Sequence, residues 1–141
     1  MLISIEKVRY QDCLRLRQKV LWPAFKLRHC YVEGDTLAEH FVLKKNGDII
    51  SCISVFDLGD DTYQIRKFAT DLNHRSMGYG SQLFQHTLRI IRSKNPKKII
   101  ISSRVSASSF YKRFRFHQSG EPFIKDGIHF IKMEYNFSSD H

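Results

Sequence analysis

The chain is poor in cysteine and proline, and over one long stretch it has no acid. Its 141 residues hold three cysteines, three prolines and one tryptophan. Cys13, Cys30 and Cys52 are odd in number and widely spaced. That excludes a disulfide framework and points to a reducing compartment, so the expected location is cytoplasmic. No pair of cysteines or histidines has zinc-ligand spacing, and no metal is expected. No apolar run approaches the length that crosses a bilayer, and the first residues, Met1 to Glu6, do not read as a signal peptide. Repeats and low-complexity tracts are absent, and only the tail Ser138 to His141 reads as loose. Gly-Lys-Ser/Thr is missing and only one strand–glycine–helix unit occurs, which excludes a P-loop and a dinucleotide fingerprint.

The missing acid is informative. From Leu72 to Gly120 there is no Asp or Glu, while Arg75, Arg89, Arg92, Lys94, Lys97, Lys98, Arg104, Lys112, Arg113 and Arg115 supply ten positive charges. The rest of the chain carries thirteen positive and fourteen negative residues, so the formal charge of +9 comes from this segment alone. A polyanionic ligand is the implied partner. Part of the charge, chiefly Arg89 to Lys98, is also what a helix C-terminus favours.

Hydrophobic content of 42% and this length suit one domain, 1–141. Residues 2–8 alternate as a strand, and 12–21 carry Cys13, Leu16 and Val20 at helical spacing before Pro23. Two strands, 40–45 and 48–56, flank Asn46-Gly47, a strong hairpin signal. A third strand is expected at 63–70, a helix at 78–93, a buried strand at 98–103 and a helix at 106–113. Strand-like segments at 116–119 and 128–137 finish the chain. The order β-α-β-β-β-α-β-α-β-β predicts an α+β class with a single mixed, mostly antiparallel sheet flanked by helices.

The sequence Arg75-Ser76-Met77-Gly78-Tyr79-Gly80 lies between the third strand and the second helix. A glycine turn that opens a helix presents unpaired amides and the positive end of the helix dipole to an anion. Glycine lets the backbone approach that anion without a Cβ between them.

Three segments together resemble the GCN5-related N-acetyltransferase (GNAT) superfamily. Gln64-Ile65-Arg66-Lys67-Phe68-Ala69 followed by Arg75-x-x-Gly78-x-Gly80 is similar to its acetyl-CoA motif. Ala107-Ser108-Ser109-Phe110-Tyr111, leading to Phe114-Arg115-Phe116, is similar to its later helix. Leu16 to Pro23, with Asp35 and His40, resembles the first helix of the ElaA-like bacterial branch, and Gly127-Ile128-His129 matches that branch more loosely. The resemblance implies the acyl-CoA N-acyltransferase fold and acetyl-CoA as co-substrate. It implies that Arg75, Ser76, Met77, Gly78, Tyr79, Gly80 and Ser81 hold the pyrophosphate. It further implies that Phe68, Ala69 and Thr70 pair by main chain with the pantetheine arm, that Ser103 and Ser109 touch the cofactor, and that Tyr111 stands near the sulfur. Relatives usually carry Gly where this chain has Arg115, so either the helix ends in a left-handed turn at a cost of about 1 kcal/mol or the turn differs here. Lys67 is larger than expected beside the pantetheine strand.

Acyl transfer from a thioester needs a neutral amine, stabilisation of a developing oxyanion and a proton for the leaving thiolate. Tyr111 could give that proton. Glu33, Asp35, Glu39 and His40 precede the strand meander and could line the acceptor side, as could Gln64 and Arg66. Each also has a structural reading: His40 as a hydrogen-bonded core histidine, and Arg66 as the ion-pair partner of an acid between 33 and 39. The implied partners are therefore acetyl-CoA and an amine acceptor, with no membrane and with a homodimer left open. The competing readings are a nucleic-acid-binding domain using the basic 72–120 face and a non-catalytic acyl-CoA sensor. The first is disfavoured because the interleaved aromatics fall at core spacing.

Overall fold

Tight turns made of left-handed residues set the frame of this computed structural model, which describes residues 2–137. The tail Ser138 to His141, read as loose, lies outside the described residues. Asn46 and Gly47 have φ of 52° and 88°, the conformation that an Asn-Gly hairpin requires. Asp60 with Asp61, at 52° and 56°, and Asp126 with Gly127, at 53° and 76°, close two further hairpins in the same way. The chain divides into two units, the first made of Met1–Phe56 and Ile65–Ser93 and the second of the remainder.

In the first unit β1 (Ile3–Val8) pairs antiparallel with β2 (Glu39–Lys45), and β2 with β3 (Asp48–Gly59). The neighbour of β3 is β4 (Thr62–Thr70), and the tip of this hairpin, Asp57–Gln64, belongs to the second unit. Alternation sends successive side chains to opposite faces. On one face Val42, Cys52 and Ala69 pack with Cys13 and Leu16. On the other face Phe41 meets His86 at 5.9 Å and Phe68 stacks on Phe84 at 5.6 Å. His86 and Phe84 belong to α2 (Tyr79–Arg92), which buries Leu83, Phe84, Thr87, Leu88 and Ile91 at helical spacing. Each fully buried Leu or Phe contributes about 1.5–3 kcal/mol, so this stripe holds α2 on the sheet. The helix expected over 12–21 is instead a 3-10 turn, Tyr10–Cys13, running into a two-turn α1 (Leu14–Val20).

In the second unit β5 (Lys98–Arg104) pairs antiparallel with β8 (Ile128–Asn136), Ile99 opposite Tyr135 and Ile101 opposite Met133. The other edge of β8 takes β6 (His117–Gln118) and β7 (Phe123–Lys125). The sequence reading had no β7; Asp126-Gly127 is the hairpin signal that marks it. The helix expected over 106–113 splits into a 3-10 turn, Val105–Ala107, and α3 (Ser108–Arg113). Beyond α3, Arg115 has φ of 70°, the left-handed position where glycine was expected. A side chain there costs about 1 kcal/mol relative to Gly. The turn brings the Phe116 N–H to Tyr111 O at 3.2 Å and drives Phe116 into the core.

Candidate functional site

The glycine turn lies wholly in the first unit. After Thr70 the chain passes through a 3-10 turn, Leu72–His74, and exposes Arg75, Ser76 and Met77. Gly78 then caps α2 with φ of 85°, and no side chain caps the helix in its place. Ser76, at φ of 61°, is a second left-handed residue in the turn. The first bond inside the helix runs from the Gln82 N–H to Gly78 O at 3.0 Å. The amides of Gly80 and Ser81 precede that bond, and no acid occupies the first turn. A Cβ on Gly80 would come within 3.1 Å of Thr70 Oγ1 and 3.4 Å of Phe68 Cζ. Glycine there lets the start of α2 press onto the end of β4. Phe68, Ala69 and Thr70 are thereby brought together with the 75–81 turn, as the motif implied. Amide donors, helix dipole and absence of acid suit phosphate oxygens.

Sequence reasoning missed the clamp that anchors this turn. Asp71 accepts from Lys19 Nζ at 2.8 Å and lies 2.9 Å from His74 Nδ1. Its N–H donates to Ile50 O at 2.7 Å. Lys19, and then His74, hold the Asp71 carboxyl below the usual range. The backbone of Lys67 was also unread: its φ of 55° makes it a left-handed residue inside β4. The long Lys67 side chain is turned onto Trp22, with Nζ 4.1 Å from the ring centroid.

On the α1 face of the same unit Arg17 is fully buried and paired bidentately with Asp35, at 2.7 and 2.9 Å. Arg17 also donates to Cys30 O at 3.0 Å and to Ser54 Oγ at 2.9 Å, and the Val32 N–H donates to Asp35 Oδ2 at 2.7 Å. A guanidinium only donates, so Ser54 Oγ accepts and its own O–H turns to His40 Nδ1, 2.7 Å away. Nε2–H of His40 then donates to the Asp35 carbonyl at 2.8 Å. The order of donors fixes a neutral imidazole with both nitrogens engaged. Burial, and to a smaller degree Arg17, depress the His40 pKa. His40 therefore takes the structural role that its sequence also allowed.

The alternative role suggested for Arg66 is corrected. Asp35 is taken by Arg17, and Glu39 pairs with Lys7 at 3.2 Å. Arg66 lies instead over the Phe56 ring, 5.4 Å from its centroid, and burial lowers its pKa. Glu33 is exposed, and Gln64 is half-buried two positions before Arg66 on β4.

The remaining candidates are in the second unit. Tyr111 is buried on α3 against Phe110 and Phe116, with ring centroids 5.2 and 6.3 Å away. Burial pushes its pKa up to about 12. Ser103 is buried and donates to Arg104 O at 2.7 Å, and Ser109 is exposed on α3.

Comparison with known proteins places this chain. The acetyltransferase (GNAT) domain family matches residues 26–137. The uncharacterised N-acetyltransferase YitI of Bacillus subtilis is 22% identical over 135 residues, covering 90% of this chain and 91% of its own. A solved structure from Lactobacillus plantarum superposes with a TM-score of 0.83 at 18% identity, over 96% of this chain and 99% of the other. Escherichia coli ElaA gives 0.76 at 20% identity, over 94% and 99%. A GNAT family acetyltransferase from Elizabethkingia anophelis, solved with acetyl-CoA bound, gives 0.71 at 20% identity, over 96% and 98%. The shared fold is α+β, with a mixed, mostly antiparallel sheet and three α-helices.

Proposed function

The chain belongs to the acetyltransferase (GNAT) domain family and is an N-acetyltransferase that uses acetyl-CoA; from that premise we propose that it acetylates a primary amine of a small molecule or peptide by direct transfer in a ternary complex. The observation that carries the reading is the family match joined to the 75–81 turn, where Gly78 is left-handed and Gly80 leaves no room for a Cβ. In this reading the amides of Met77 to Ser81 and the α2 dipole bind the pyrophosphate, and Arg75 starts the loop. Main-chain groups of Phe68, Ala69 and Thr70, which follow the left-handed Lys67, hold the pantetheine arm. Ser103 and Ser109 contribute further cofactor contacts. The cofactor supplies an activated acetyl thioester.

Tyr111 is the proposed donor to the departing sulfur. With its pKa near 12 it holds its proton through any working pH. It is a weaker acid than a thiol, at about 8.5, so it acts chiefly by donating a hydrogen bond to the thiolate. Glu33, Gln64 and Arg66 are the proposed acceptor contacts, with His40 bracing the floor behind them. Within the family we place the chain in the ElaA-like branch. The Arg17–Asp35–His40 network, formed by residues of the segments similar to that branch, supports this placement.

A panel of amines, peptides and antibiotics assayed for CoA release tests the activity. The cofactor site is tested through Gly78→Val. No atom lies within 4 Å of a Cβ there, so the cost is backbone strain of about 1–2 kcal/mol and the protein stays folded. The expected result is loss of the thermal shift given by acetyl-CoA. A wild-type shift in this variant rejects the turn as the pyrophosphate site, and a shift without turnover of any amine favours the sensor reading.

A further inference from the structure

Resting on the N-acetyltransferase reading, we infer that the acceptor is a small amino acid, its carboxylate taken by Arg66. Among the described residues Arg66 has no carboxylate or carbonyl partner; its contact is the Phe56 ring, 5.4 Å away. A cation–π contact with a ring does not use up the guanidinium's N–H donors, and those donors form the fork that matches a carboxylate. The side chain is half-buried, which makes an unpaired cation costly and an arriving anion favourable.

The charges around it make that vacancy specific. Asp35, the acid that acts on Arg66 electrostatically, is already bound by both terminal nitrogens of Arg17 and by the Val32 N–H. Three of its roughly four acceptor sites are thereby spent. Arg17 itself adds positive potential behind Arg66. The opposite end of an amino acid also finds a counterpart. Gly34 packs on the same Phe56 ring, where a Cβ would stand 3.6 Å from it, and the residue before it is the exposed acid Glu33. One ring therefore meets a guanidinium on β4 and lies against the 32–35 turn, whose exposed acid Glu33 is the group assigned to attract an ammonium. A polyamine or an aminoglycoside, cationic at neutral pH and without a carboxylate, would leave Arg66 facing positive charge, so the arrangement selects against such acceptors.

The test uses product complexes, so that it does not depend on finding the natural acceptor. N-acetyl-L-amino acids and their C-terminal amides are titrated into the CoA-loaded protein, with binding read by calorimetry. The expected result is that at least one free acid binds about 10- to 100-fold more tightly than its amide, the range of a charge-assisted bidentate contact. Arg66→Met should erase that preference, and Arg66→Lys should keep part of it. Equal binding of acids and amides, no binding by any member, or an unchanged preference in Arg66→Met overturns the inference. CoA binding is measured first and separately. If CoA binds normally and the preference is absent, only the amino-acid acceptor falls. If CoA fails to bind and the preference is seen in the unloaded protein, the acetyltransferase reading is the one that fails.

Discussion

In the first unit a guanidinium and a carboxylate are withdrawn from solvent together, whereas the second unit withdraws a tyrosine hydroxyl, a serine and one glutamate flanked by lysines. The first arrangement is directional. Both terminal nitrogens of Arg17, the Val32 N–H, the Ser54 hydroxyl and the His40 ring are engaged, so the loop from Cys30 to Asp35 is held by hydrogen bonds as much as by packing. The second is built from rings: Tyr111, Phe116, Tyr135 and Phe137 touch in sequence at 6.3, 5.7 and 4.7 Å. A site that must discriminate among acceptors gains from directed polar groups, and one that must exclude water around a thioester gains from apolar bulk. Similar substitutions should therefore have different effects in the two units.

Matched isosteric changes give the largest expected contrast. Asp35→Asn leaves Arg17 charged, buried and half-satisfied, and should cost about 3–5 kcal/mol in urea unfolding. Glu134→Gln in the second unit removes a charge whose lysine partners, Lys98 and Lys132, stand 3.9 and 3.8 Å away at the rim. It should cost about 1 kcal/mol or less. Equal losses would break the comparison, because the Arg17–Asp35 pair would then be worth no more than a surface pair.

Next in size is an effect on rate. Tyr111→Phe keeps the ring stack of the second unit and removes its hydroxyl. Donor help to a leaving group is worth about 10²–10⁴-fold, and a thiolate already leaves well, so a fall in kcat of about 10²-fold is expected, with acetyl-CoA affinity unchanged. The measurement needs an acceptor from the panel and conditions where chemistry limits the rate. Wild-type turnover would make Tyr111 a packing residue, and the second unit would then supply rings and no chemistry.

Much of this was legible in the sequence because local signals and tertiary packing agree. Asn46-Gly47 gave its hairpin, the stripe from Leu83 to Ile91 gave α2, and Gly78 and Gly80 gave the turn. At Arg115 the sequence left a left-handed turn and a different turn open, and the structure has the left-handed one. What could not be read depends on pairings across the fold. Nothing local tells Asp35 to choose Arg17 over Arg66, since that choice follows from α1 packing against β2 and β3. The left-handed turn of the backbone at Lys67 has no glycine to announce it. Asp71 looks like any strand-end acid until Lys19 and His74 converge on it. The β7 strand was readable from Asp126-Gly127 and was missed because Phe123–Lys125 is only three residues long.

The smallest expected effect concerns pH, and it sharpens the contrast by assigning acid sensitivity to the first unit. His40 is neutral in the fold, its pKa depressed by burial and by Arg17. Its unfolded value is about 6.5, so the stability gained from the neutral ring is fully present above that pH. It is lost as pH falls toward the folded pKa, because only the unfolded chain takes up the proton there. Protonation in the fold would put the ring's second hydrogen on Nδ1, against Ser54, whose own O–H would lose its acceptor beside Arg17. His40→Gln cannot titrate and should flatten the decline in melting temperature between about pH 7 and about pH 5. The flattening should be partial, because His86 on α2 is also depressed by burial and by Arg89. Tyr111, with its pKa near 12, contributes nothing in that window. If the decline is as steep in His40→Gln as in the wild type, the ring takes its proton without disturbing the network. The chain of donors from Arg17 through Ser54 to Asp35 would then not be closed in solution.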